Sequence, residues 1–517
     1  RIKYDSLGNY LKDKARLVMK GYQSKLGVGH FGVFSPMATF ITIRAMAILA
    51  ALQRRLLYSA DVPNAFGRAD INALTFAKLP SGISFEKDGI SSKDRNWLIR
   101  LLKSLYGLKG APQMFHKLLQ HFFVNILGYK CLKNDSSLYG RAWPPGSRTD
   151  VKVHAYNIVA ADVDDMAILS SHDDVLHEFH AALVKHFDVT DFGPMKSFFG
   201  VLFEELQQGT HKYYFLSAKK QIDSLFVKHT KLITHVKVDT PYLSGPVSNE
   251  QPLNEKETYA LVNYRSIVGG LIFPATTCRL DISYMAPYCA RYMANPKPEH
   301  VRRLIRVTDY LCHHRSVGLD LNPFDSATAE YAQSTPSIVG ILAKTPEPRE
   351  HPNLVGFTDA SFAPSTEHSK RSVTGYMWYL NWAPLLWKST LQSLTVLDTH
   401  GAELVAATSA SNEGIWLRRL VNELLAIILA DEEAIKSIQL FGDNFSSVQT
   451  AGNPSTSSRT RYLDIRHFKI REYIESQILR YDHLSGIHNL ADFLTKLFST
   501  HAFKTFFKHS GLNTYDT

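Results

Sequence analysis

Acidic residues cluster where two apolar segments of the chain meet. In "NIVAADVDDMAILSS", residues 157–171, Asp164 and Asp165 stand between two short apolar runs, and Asp162 lies just before them. Such runs predict buried strands joined by a tight turn, so the acids are expected at the tip of a hairpin. Carboxylates held together in this way are typical ligands of a hard metal ion. The alternative for an Asp-Asp pair is a solvated turn.

A further acid, Asp61, follows another short apolar stretch in "LLYSADVPNAFGRADI", far earlier in the chain. Two divalent cations ~4 Å apart activate an attacking oxygen and stabilise the leaving one during phosphoryl transfer. Oxygen-rich sites suit Mg²⁺, which keeps several of its waters. The two acid-bearing elements therefore indicate a two-metal site if the fold brings Asp61 beside Asp164 and Asp165.

The composition is that of a globular chain with more than one domain. Of 517 residues, 45% are hydrophobic and 21% are charged, which excludes a disordered chain, and this length exceeds a single core. No apolar run approaches the ~20 residues that span a bilayer, so no membrane partner is expected. Four scattered cysteines argue against a disulfide framework or a zinc site. The net charge of +10 favours a polyanionic partner.

Pro-, Ser- and Asn-rich stretches divide the chain into three parts. One such stretch covers residues 240–259, and a second precedes a final region with alternating strand and helix patterns. We predict domains at residues 1–238, 239–350 and 351–517. Because the first residue is Arg, the sequence is expected to be a piece of a longer translated frame.

Six motifs occur in a fixed order: "KARLVMKGY", "FSPMATFITIR", "DVPNAF", "LLKSLYGLKGAP", "DVDDMAIL" and "YRSIVGGLIF". The series resembles the reverse transcriptase of copia-type LTR retrotransposons, followed by its RNase H domain. The resemblance covers nearly the whole chain, and "KSLYGLK" within the ordered set is very specific. It implies an α+β right-hand polymerase with fingers, palm and a thumb-like part, followed by an α/β RNase H-like domain.

The resemblance also implies roles for single residues of the first region. Asp61, Asp164 and Asp165 match the family's catalytic, metal-binding triad, with Mg²⁺ or Mn²⁺ as the metal. Phe66 matches the position that blocks a ribose 2′-hydroxyl, which favours deoxynucleoside triphosphates as substrates.

Basic residues of two segments are expected to bind the substrate. Lys14 and Arg16 resemble fingers residues that contact the incoming triphosphate. In "HVRRLIRVTDYLCHHR", a predicted helix at 300–315, Arg302 and Arg306 lie on the side opposite the apolar residues. A basic stripe of this kind fits a thumb-like element that follows phosphates. An ordinary solvated basic face is the alternative for both segments.

Three positions of the first region depart from the family pattern. Asp162 stands where the family commonly has Tyr, Gly110 where it has Gln, and Gly67 where it has Leu. A third carboxylate at the acid cluster adds repulsion, which raises carboxyl pKa values and weakens metal binding. These departures predict an impaired polymerase half in a drifting copy of the element.

The final region presents four further acids, each on its own element. Asp359 lies in the alternating strand "NLVGFTDASF", and Asp443 ends the strand "SIQLFGDN". Glu403 lies near the start of a long amphipathic helix. The resemblance implies that these residues, with Asp492, are the family's four metal-binding acids for two-metal hydrolysis of RNA in an RNA–DNA hybrid.

Asp492 is predicted to lie on a helix within "SGIHNLADFLTKLF", with Asn489 as its N-cap. Asp492 falls opposite the apolar stripe of that helix and is free to face a site. The stripe consists of Leu490, Phe493, Leu494 and Leu497.

Together these features predict an RNA-directed DNA polymerase with coupled RNase H cleavage. Its expected partners are an RNA template, a DNA primer, an RNA–DNA hybrid and deoxynucleoside triphosphates, and its expected location is cytoplasmic, in a virus-like particle, or nuclear. The alternative is a degenerate, catalytically inactive relic that at most binds nucleic acid. A third reading, a nuclease with a repurposed polymerase half, rests on the better-kept acids of the final region.

Overall fold

The structure is a computed structural model that describes most of the chain. The described residues are 2–4, 10–13, 17–23, 32–78, 86–87, 90–91, 98–146, 154–189, 191–243, 247–324, 327–336, 338–339, 352–363, 370–453 and 462–515. Lys14 and Arg16, which were predicted to contact the triphosphate, lie outside these residues.

Strands occur along the whole described chain. In order they are β1 Ile2–Tyr4, β2 Tyr10–Asp13, β3 Leu57–Asp61, β4 Asp70–Lys78, β5 Glu86–Lys87, β6 Ile90–Ser91, β7 Leu98–Lys103, β8 Lys130–Cys131, β9 Leu138–Trp143, β10 Ala155–Asp162, β11 Asp165–Ser170, β12 Asp191–Pro194, β13 Ser197–Phe198, β14 Val201–Gln208, β15 His211–Ser217, β16 Val317–Asp320, β17 Leu354–Ser361, β18 Val373–Leu380, β19 Ala383–Leu391, β20 Ile438–Gly442, β21 Leu479–His483 and β22 Leu512–Thr514.

Helices lie between many of these strands, and several helices follow one another between β15 and β16. In order they are α1 Phe40–Leu52, α2 Ala65–Arg68, α3 Ala111–Gln120, α4 Asp173–Phe187, α5 Lys219–Lys228, α6 Glu255–Val262, α7 Tyr264–Thr277, α8 Met285–Arg291, α9 Pro298–His313, α10 Ala327–Ser334, α11 Thr399–Leu429, α12 Phe445–Gly452, α13 Lys469–Glu475 and α14 Thr500–His509. Among the described residues, none of the helices combines the length and the apolar character needed to cross a bilayer.

The chain forms two compact units. The first unit comprises residues 1–38 and 59–193, and the second comprises residues 39–58 and 194–517. The predicted domain boundaries at 238 and 350 remain predictions.

The first unit is built on a sheet in the order β12-β3-β11-β10-β9-β8, in which β8 to β11 pair antiparallel. Every residue of β10 is buried, as is every residue of β11 after Asp165. Continuous apolar runs of this kind are expected where both faces of a strand are covered. The hairpin predicted around Asp164 and Asp165 is therefore present, and it lies in the middle of the sheet.

The second unit contains two further sheets, in the orders β13-β14-β15-β16-β22 and β19-β18-β17-β20-β21. Helix α1 is buried in this unit, including Arg44, which is 2% exposed. The Arg44 guanidinium donates to the Thr277 carbonyl at 2.9 Å and lies 4.3 Å from the centre of the Trp387 ring. These contacts offset part of its loss of water, while its Nε atom has no hydrogen-bond partner among the described residues.

The sheet that carries the acids of the final region combines antiparallel and parallel pairs. Strand β17 pairs antiparallel with β18 and parallel with β20, which in turn pairs parallel with β21. Helix α11 packs against β17 and β18, and apolar residues at three-to-four spacing in its second half are buried. These positions are Leu417, Leu420, Val421, Leu424 and Leu425.

Candidate active sites

The first acid cluster lies at the tip of the β10–β11 hairpin. Asp162 and Asp165 are direct cross-strand partners, so Val163 and Asp164 form a two-residue turn between them. Val163 has φ 48°, a left-handed conformation that strains a β-branched residue. The turn thus places three carboxylates within four consecutive residues, and two of them face each other across the hairpin.

The sheet order brings the distant acid Asp61 to this turn. Strand β3 ends at Asp61 and is the neighbour of β11. The backbone N–H of Val62 donates to the carbonyl of Asp164 at 2.8 Å, which ties the end of β3 to the turn. The predicted convergence of Asp61 with Asp164 and Asp165 is therefore present in the fold, while their catalytic role remains a prediction.

Desolvation and crowding of negative charge characterise this cluster. Loss of solvation, followed by the charges of Asp164 and Asp61, raises the pKa of Asp165 to about 6. Burial, followed by the charge of Asp164, raises the pKa of Asp162 to about 6. The Oδ1 atom of Asp162 is buried and has no hydrogen-bond partner among the described residues. Asp162 is thus an unfavourable neighbour for the other acids, as its departure from the family pattern predicted.

We expect Asp162→Asn to stabilise the protein at neutral pH and to have little effect in acid. Because the pKa of Asp162 is higher in the folded state, stability falls as the pH rises from 3.8 to about 6. Removing the charge should raise the free energy of unfolding by about 1–3 kcal/mol near pH 7.5, and by much less near pH 4. Urea unfolding in EDTA at the two pH values measures this difference.

Asp174→Asn is the matched control, since it removes an exposed carboxylate at the start of α4 in the same unit. It should show no comparable difference between the two pH values. An equal gain at both pH values for Asp162→Asn, or no gain at either, would contradict the placement of Asp162 at a crowded, desolvated position.

Phe66 lies in α2, shortly after Asp61, and its ring is fixed by aromatic contacts. The ring packs edge-on against Tyr106 at 4.9 Å and against Phe115 at 6.5 Å between centroids. Such contacts hold a side chain in one orientation. A rigid ring suits the predicted role of Phe66 as a steric barrier to a 2′-hydroxyl, and that role remains a prediction.

The second acid cluster is built by the parallel pair β17 and β20. Thr358 of β17 is paired with Gly442 of β20, so the next residues, Asp359 and Asp443, lie side by side where β20 ends. Parallel strands bring residues of equal register to the same edge of a sheet. Asp359 is 1% exposed, which means that its charge is nearly removed from water.

Asp492 reaches the cluster on a 3₁₀-helix at Leu490–Leu494, which is shorter than the predicted helix. The N-cap predicted for Asn489 is confirmed, since its side chain accepts from the N–H of Ala491 and its amide donates to the Thr358 carbonyl at 3.0 Å. That second bond fixes the 3₁₀-helix next to Asp359. Of the predicted stripe, Leu497 is wrongly assigned, because it lies beyond the helix and is 44% exposed.

Asp359, Asp443 and Asp492 each offer one oxygen atom, and these atoms lie within 4.8 Å of one another. Among the described residues, no other group of three or more Asp, Glu, His or Cys side chains comes this close together. The acids of the hairpin around Asp165 are therefore more widely spaced. A set of carboxylate oxygens as close as those of Asp359, Asp443 and Asp492 fits a hard divalent cation. Three of the four acids predicted in the final region are therefore brought together as metal ligands would be.

Glu403, the fourth predicted acid, lies in the first turns of α11 and is 6% exposed. It stands outside the 4.8 Å group, yet burial and the charges of Asp359 and Asp443 raise its pKa well above the usual value. Glu403 thus faces the cluster from the helix side.

Burial and nearby negative charge also affect the other acids of the cluster. Burial and the charge of Asp359 raise the pKa values of both Asp443 and Asp492. Carboxyl groups with raised pKa values gain from any cation that enters the cluster, because a positive charge favours the ionised form. The negative charge of the cluster therefore favours the binding of a cation.

Two residues of the cluster were missed by sequence reasoning. The Thr495 hydroxyl donates to Asp359, and the Lys496 ammonium forms ion pairs with Asp359 at 3.3 Å and Asp492 at 3.0 Å. The spacing of four residues between Asp492 and Lys496 was a usable signal, since such pairs meet on a helical turn.

Glycines permit the close packing around this cluster. A Cβ atom at Gly375 would lie 2.6 Å from Thr495 Cγ2, so a side chain there would push the 3₁₀-helix away from β18. Gly401 faces the Tyr462 hydroxyl, and a Cβ atom at Gly401 would approach that oxygen to 2.1 Å. The absence of a side chain at this position thus allows Tyr462 to pack closely against the start of α11.

The two arginines predicted to follow phosphates are bound within the chain. Arg302 pairs with Glu257 at 3.0 Å and donates to the carbonyls of Ser248 and Gln251, and Arg306 donates to the Thr240 carbonyl at 2.9 Å. These bonds use donors that a phosphate would need. A nucleic-acid contact for Arg302 and Arg306 stays a prediction. Their observed bonds connect α9 to α6 and to the segment that precedes α6.

Residues 1–244 match the family described as "Reverse transcriptase (RNA-dependent DNA polymerase)". The match covers nearly half of the chain, and the predicted fold class, a polymerase of mixed α and β content, is confirmed. The match includes the hairpin with Asp164 and Asp165 and the strand that ends at Asp61.

Over nearly its whole length the chain is similar to polyproteins of plant transposons. It is 28% identical over 509 residues to the "Retrovirus-related Pol polyprotein from transposon TNT 1-94" of Nicotiana tabacum. The aligned part covers 98% of this chain and 34% of that protein. It is 29% identical over 515 residues to the polyprotein from transposon RE1 of Arabidopsis thaliana, and the aligned part covers 99% of this chain and 31% of that protein. The predicted resemblance to copia-type elements is confirmed.

The chain spans about a third of the length of these curated relatives. Among solved structures, the foamy viral protease-reverse transcriptase in complex with an RNA/DNA hybrid overlaps it with a TM-score of 0.45 and 14% identity, over 88% of this chain and 46% of that chain.

Proposed function

We propose that this chain is the polymerase and RNase H portion of a retrotransposon polyprotein, with RNA-directed DNA synthesis in its first part and cleavage of RNA in RNA–DNA hybrids in its last. The observation that carries the cleavage half is the group of oxygens from Asp359, Asp443 and Asp492 within 4.8 Å of one another. The reverse transcriptase family of residues 1–244 supports the synthesis half.

The second cluster fits a divalent metal by its donor chemistry. Its ligand atoms are carboxylate oxygens, burial and the charge of Asp359 raise the pKa values of Asp443 and Asp492, and a lysine ammonium already lies between two of the acids. Asp359, Asp443 and Asp492 would hold Mg²⁺ or Mn²⁺, with Glu403 beside them. When bound, the metal supplies charge stabilisation and an activated water for phosphodiester hydrolysis.

Hydrogen bonds within the protein hold two of the metal-binding acids in place. The bond from the Asn489 amide to the Thr358 carbonyl holds Asp492 against β17, and the Thr495 hydroxyl holds the Asp359 carboxylate in one orientation. Rigid ligands need no reorganisation when charge develops on the phosphate.

The first cluster would act in synthesis. Asp61, Asp164 and Asp165 would bind the metals that the triphosphate brings, and the primer 3′-hydroxyl would attack the α-phosphate and release pyrophosphate. Phe66 would exclude ribonucleotides. The crowding by Asp162 weakens this cluster, so we propose that synthesis is slower than cleavage.

Two assays on the purified chain test the proposal. The first is extension of a DNA primer on an RNA template with deoxynucleoside triphosphates and Mg²⁺, and the second is cleavage of a labelled RNA–DNA hybrid with Mg²⁺. We expect both activities, with cleavage the better preserved. Asp164→Asn is the control for extension, because any extension that persists in this variant comes from a contaminant.

The alternative is an inactive relic, and Asp162 favours it for the polymerase half. Salt-sensitive binding of hybrid without extension or cleavage would establish the relic. Equal loss of both activities would refute the proposed asymmetry between the halves.

A further inference from the structure

The Lys496 side chain enters the second acid cluster. Its Nζ atom lies 3.3 Å from Asp359 Oδ1 and 3.0 Å from Asp492 Oδ1. Both acids belong to the group whose oxygens lie within 4.8 Å of one another. The ammonium thus contacts two of the three carboxylates that would hold a metal.

We propose that Lys496 is a built-in counter-ion of the second acid cluster and that it competes with divalent metal for the carboxylates of Asp359 and Asp492. The inference rests on the proposed function, since it concerns the same site. It adds a residue that sets how readily metal enters.

Burial explains why the cluster needs a cation when no metal is bound. Asp359 is 1% exposed and Glu403 is 6% exposed. Carboxylates removed from water are costly unless an opposite charge is close. Apart from Lys496, no described lysine or arginine forms an ion pair with Asp359, Asp443 or Asp492 among the ion pairs of the structure.

The local backbone keeps Lys496 at this position. Its N–H donates to the Asp492 carbonyl at 3.0 Å, which continues the turn that carries Asp492. The side chain itself is 41% exposed, so it approaches the acids from the solvent side. A compact ammonium on a flexible stem can leave the carboxylates when a stronger cation arrives.

Electrostatic repulsion prevents the Lys496 ammonium and a divalent metal ion from binding the same carboxylates together. An ammonium within 3.3 Å of Asp359 and a divalent ion on the same carboxylate would repel each other at short range. Entry of metal therefore requires Lys496 to move toward solvent, and removing the ammonium should favour metal.

The test compares Lys496→Met with Lys496→Arg in the full chain. Both carry Asp61→Asn, which weakens the first cluster so that Mn²⁺ binding reports the second. Isothermal titration with Mn²⁺ alone should show binding on the order of tenfold tighter for Lys496→Met, and within about twofold of the parent for Lys496→Arg, which keeps the charge. Lys504→Met is the matched control, because Lys504 is an exposed lysine paired with Asp239 at 2.8 Å.

Thermal unfolding gives a second readout. In EDTA, Lys496→Met should unfold at a lower temperature than its parent, and saturating Mn²⁺ should raise its unfolding temperature by more than it raises that of the parent. Lys496→Gln is a second neutral variant with a polar end, for use if Lys496→Met fails to fold.

Mn²⁺ binding by Lys496→Met that equals or falls below that of its parent would overturn the inference. Hybrid cleavage by the unmodified chain judges the proposed function separately. If the chain cleaves hybrid while the variant binds Mn²⁺ no better, only the competition by Lys496 fails. If Mn²⁺ binding responds as expected but no hybrid is cleaved, the competition stands and the proposed function fails.

Discussion

Asp443→Asn is expected to reduce cleavage of RNA in a hybrid by at least about a thousandfold, with primer extension unchanged. Asp443 contributes one of the three oxygens that lie within 4.8 Å of one another, and the fold places it next to Asp359. Asparagine has nearly the same shape but no charge, so it cannot balance a divalent cation. It also removes repulsion from the cluster, so the protein should remain folded. Loss of cleavage without loss of stability is therefore the expected signature.

The control for this change is Asp482→Asn. Asp482 is an exposed carboxylate on the neighbouring strand β21 and accepts a hydrogen bond from Gln439 at 2.9 Å. It lies outside the acid cluster, so cleavage should stay within about twofold of the unmodified chain. Quantitative cleavage of a labelled hybrid under single-turnover conditions compares the two variants. Full cleavage by Asp443→Asn, or equal losses in both variants, would remove Asp443 from the proposed site.

Asp61→Asn is expected to have the reciprocal effect, with at least a roughly thousandfold loss of primer extension and unchanged hybrid cleavage. The sheet order places the end of β3 beside β11, and the charge of Asp61 contributes to the raised pKa of Asp165. If Asp61 and Asp165 share a metal, as proposed, Asp61→Asn removes one of its charged ligands. Extension of a primer on an RNA template measures the loss.

Two comparisons support the interpretation of Asp61→Asn. Asp70→Asn breaks an exposed ion pair with Lys103 at 2.7 Å, and such pairs contribute only ~0–1 kcal/mol, so extension should persist. Asp162→Tyr removes the opposing carboxylate of Asp165 and should raise the rate of extension. Asp61→Asn should abolish extension in both the natural and the Asp162→Tyr background. Extension that survives in either background would separate Asp61 from catalysis.

Most acids of the two clusters stood out in the sequence because they follow or interrupt short apolar strands, whereas Glu403 and Asp492 lie on helices and were assigned by the resemblance. Strand periodicity and turn position depend on neighbouring residues, so the hairpin at Asp164 and the strand that delivers Asp359 follow from local pattern. The same reasoning found the N-cap at Asn489, which is a contact between adjacent residues. It extended the apolar stripe too far, to Leu497, because helical periodicity does not reveal where a short 3₁₀-helix ends.

The sequence by itself determined which residues are acids, which segments are strands, and which family the first part resembles. Only the tertiary structure decided which groups share a pocket. Register between β17 and β20 set Asp359 beside Asp443, and internal bonds took up the donors of Arg302 and Arg306. The contact of the Lys496 ammonium with Asp359 likewise depends on a turn packed against a distant strand. Pairings of this kind join residues far apart in the chain, so no local pattern encodes them.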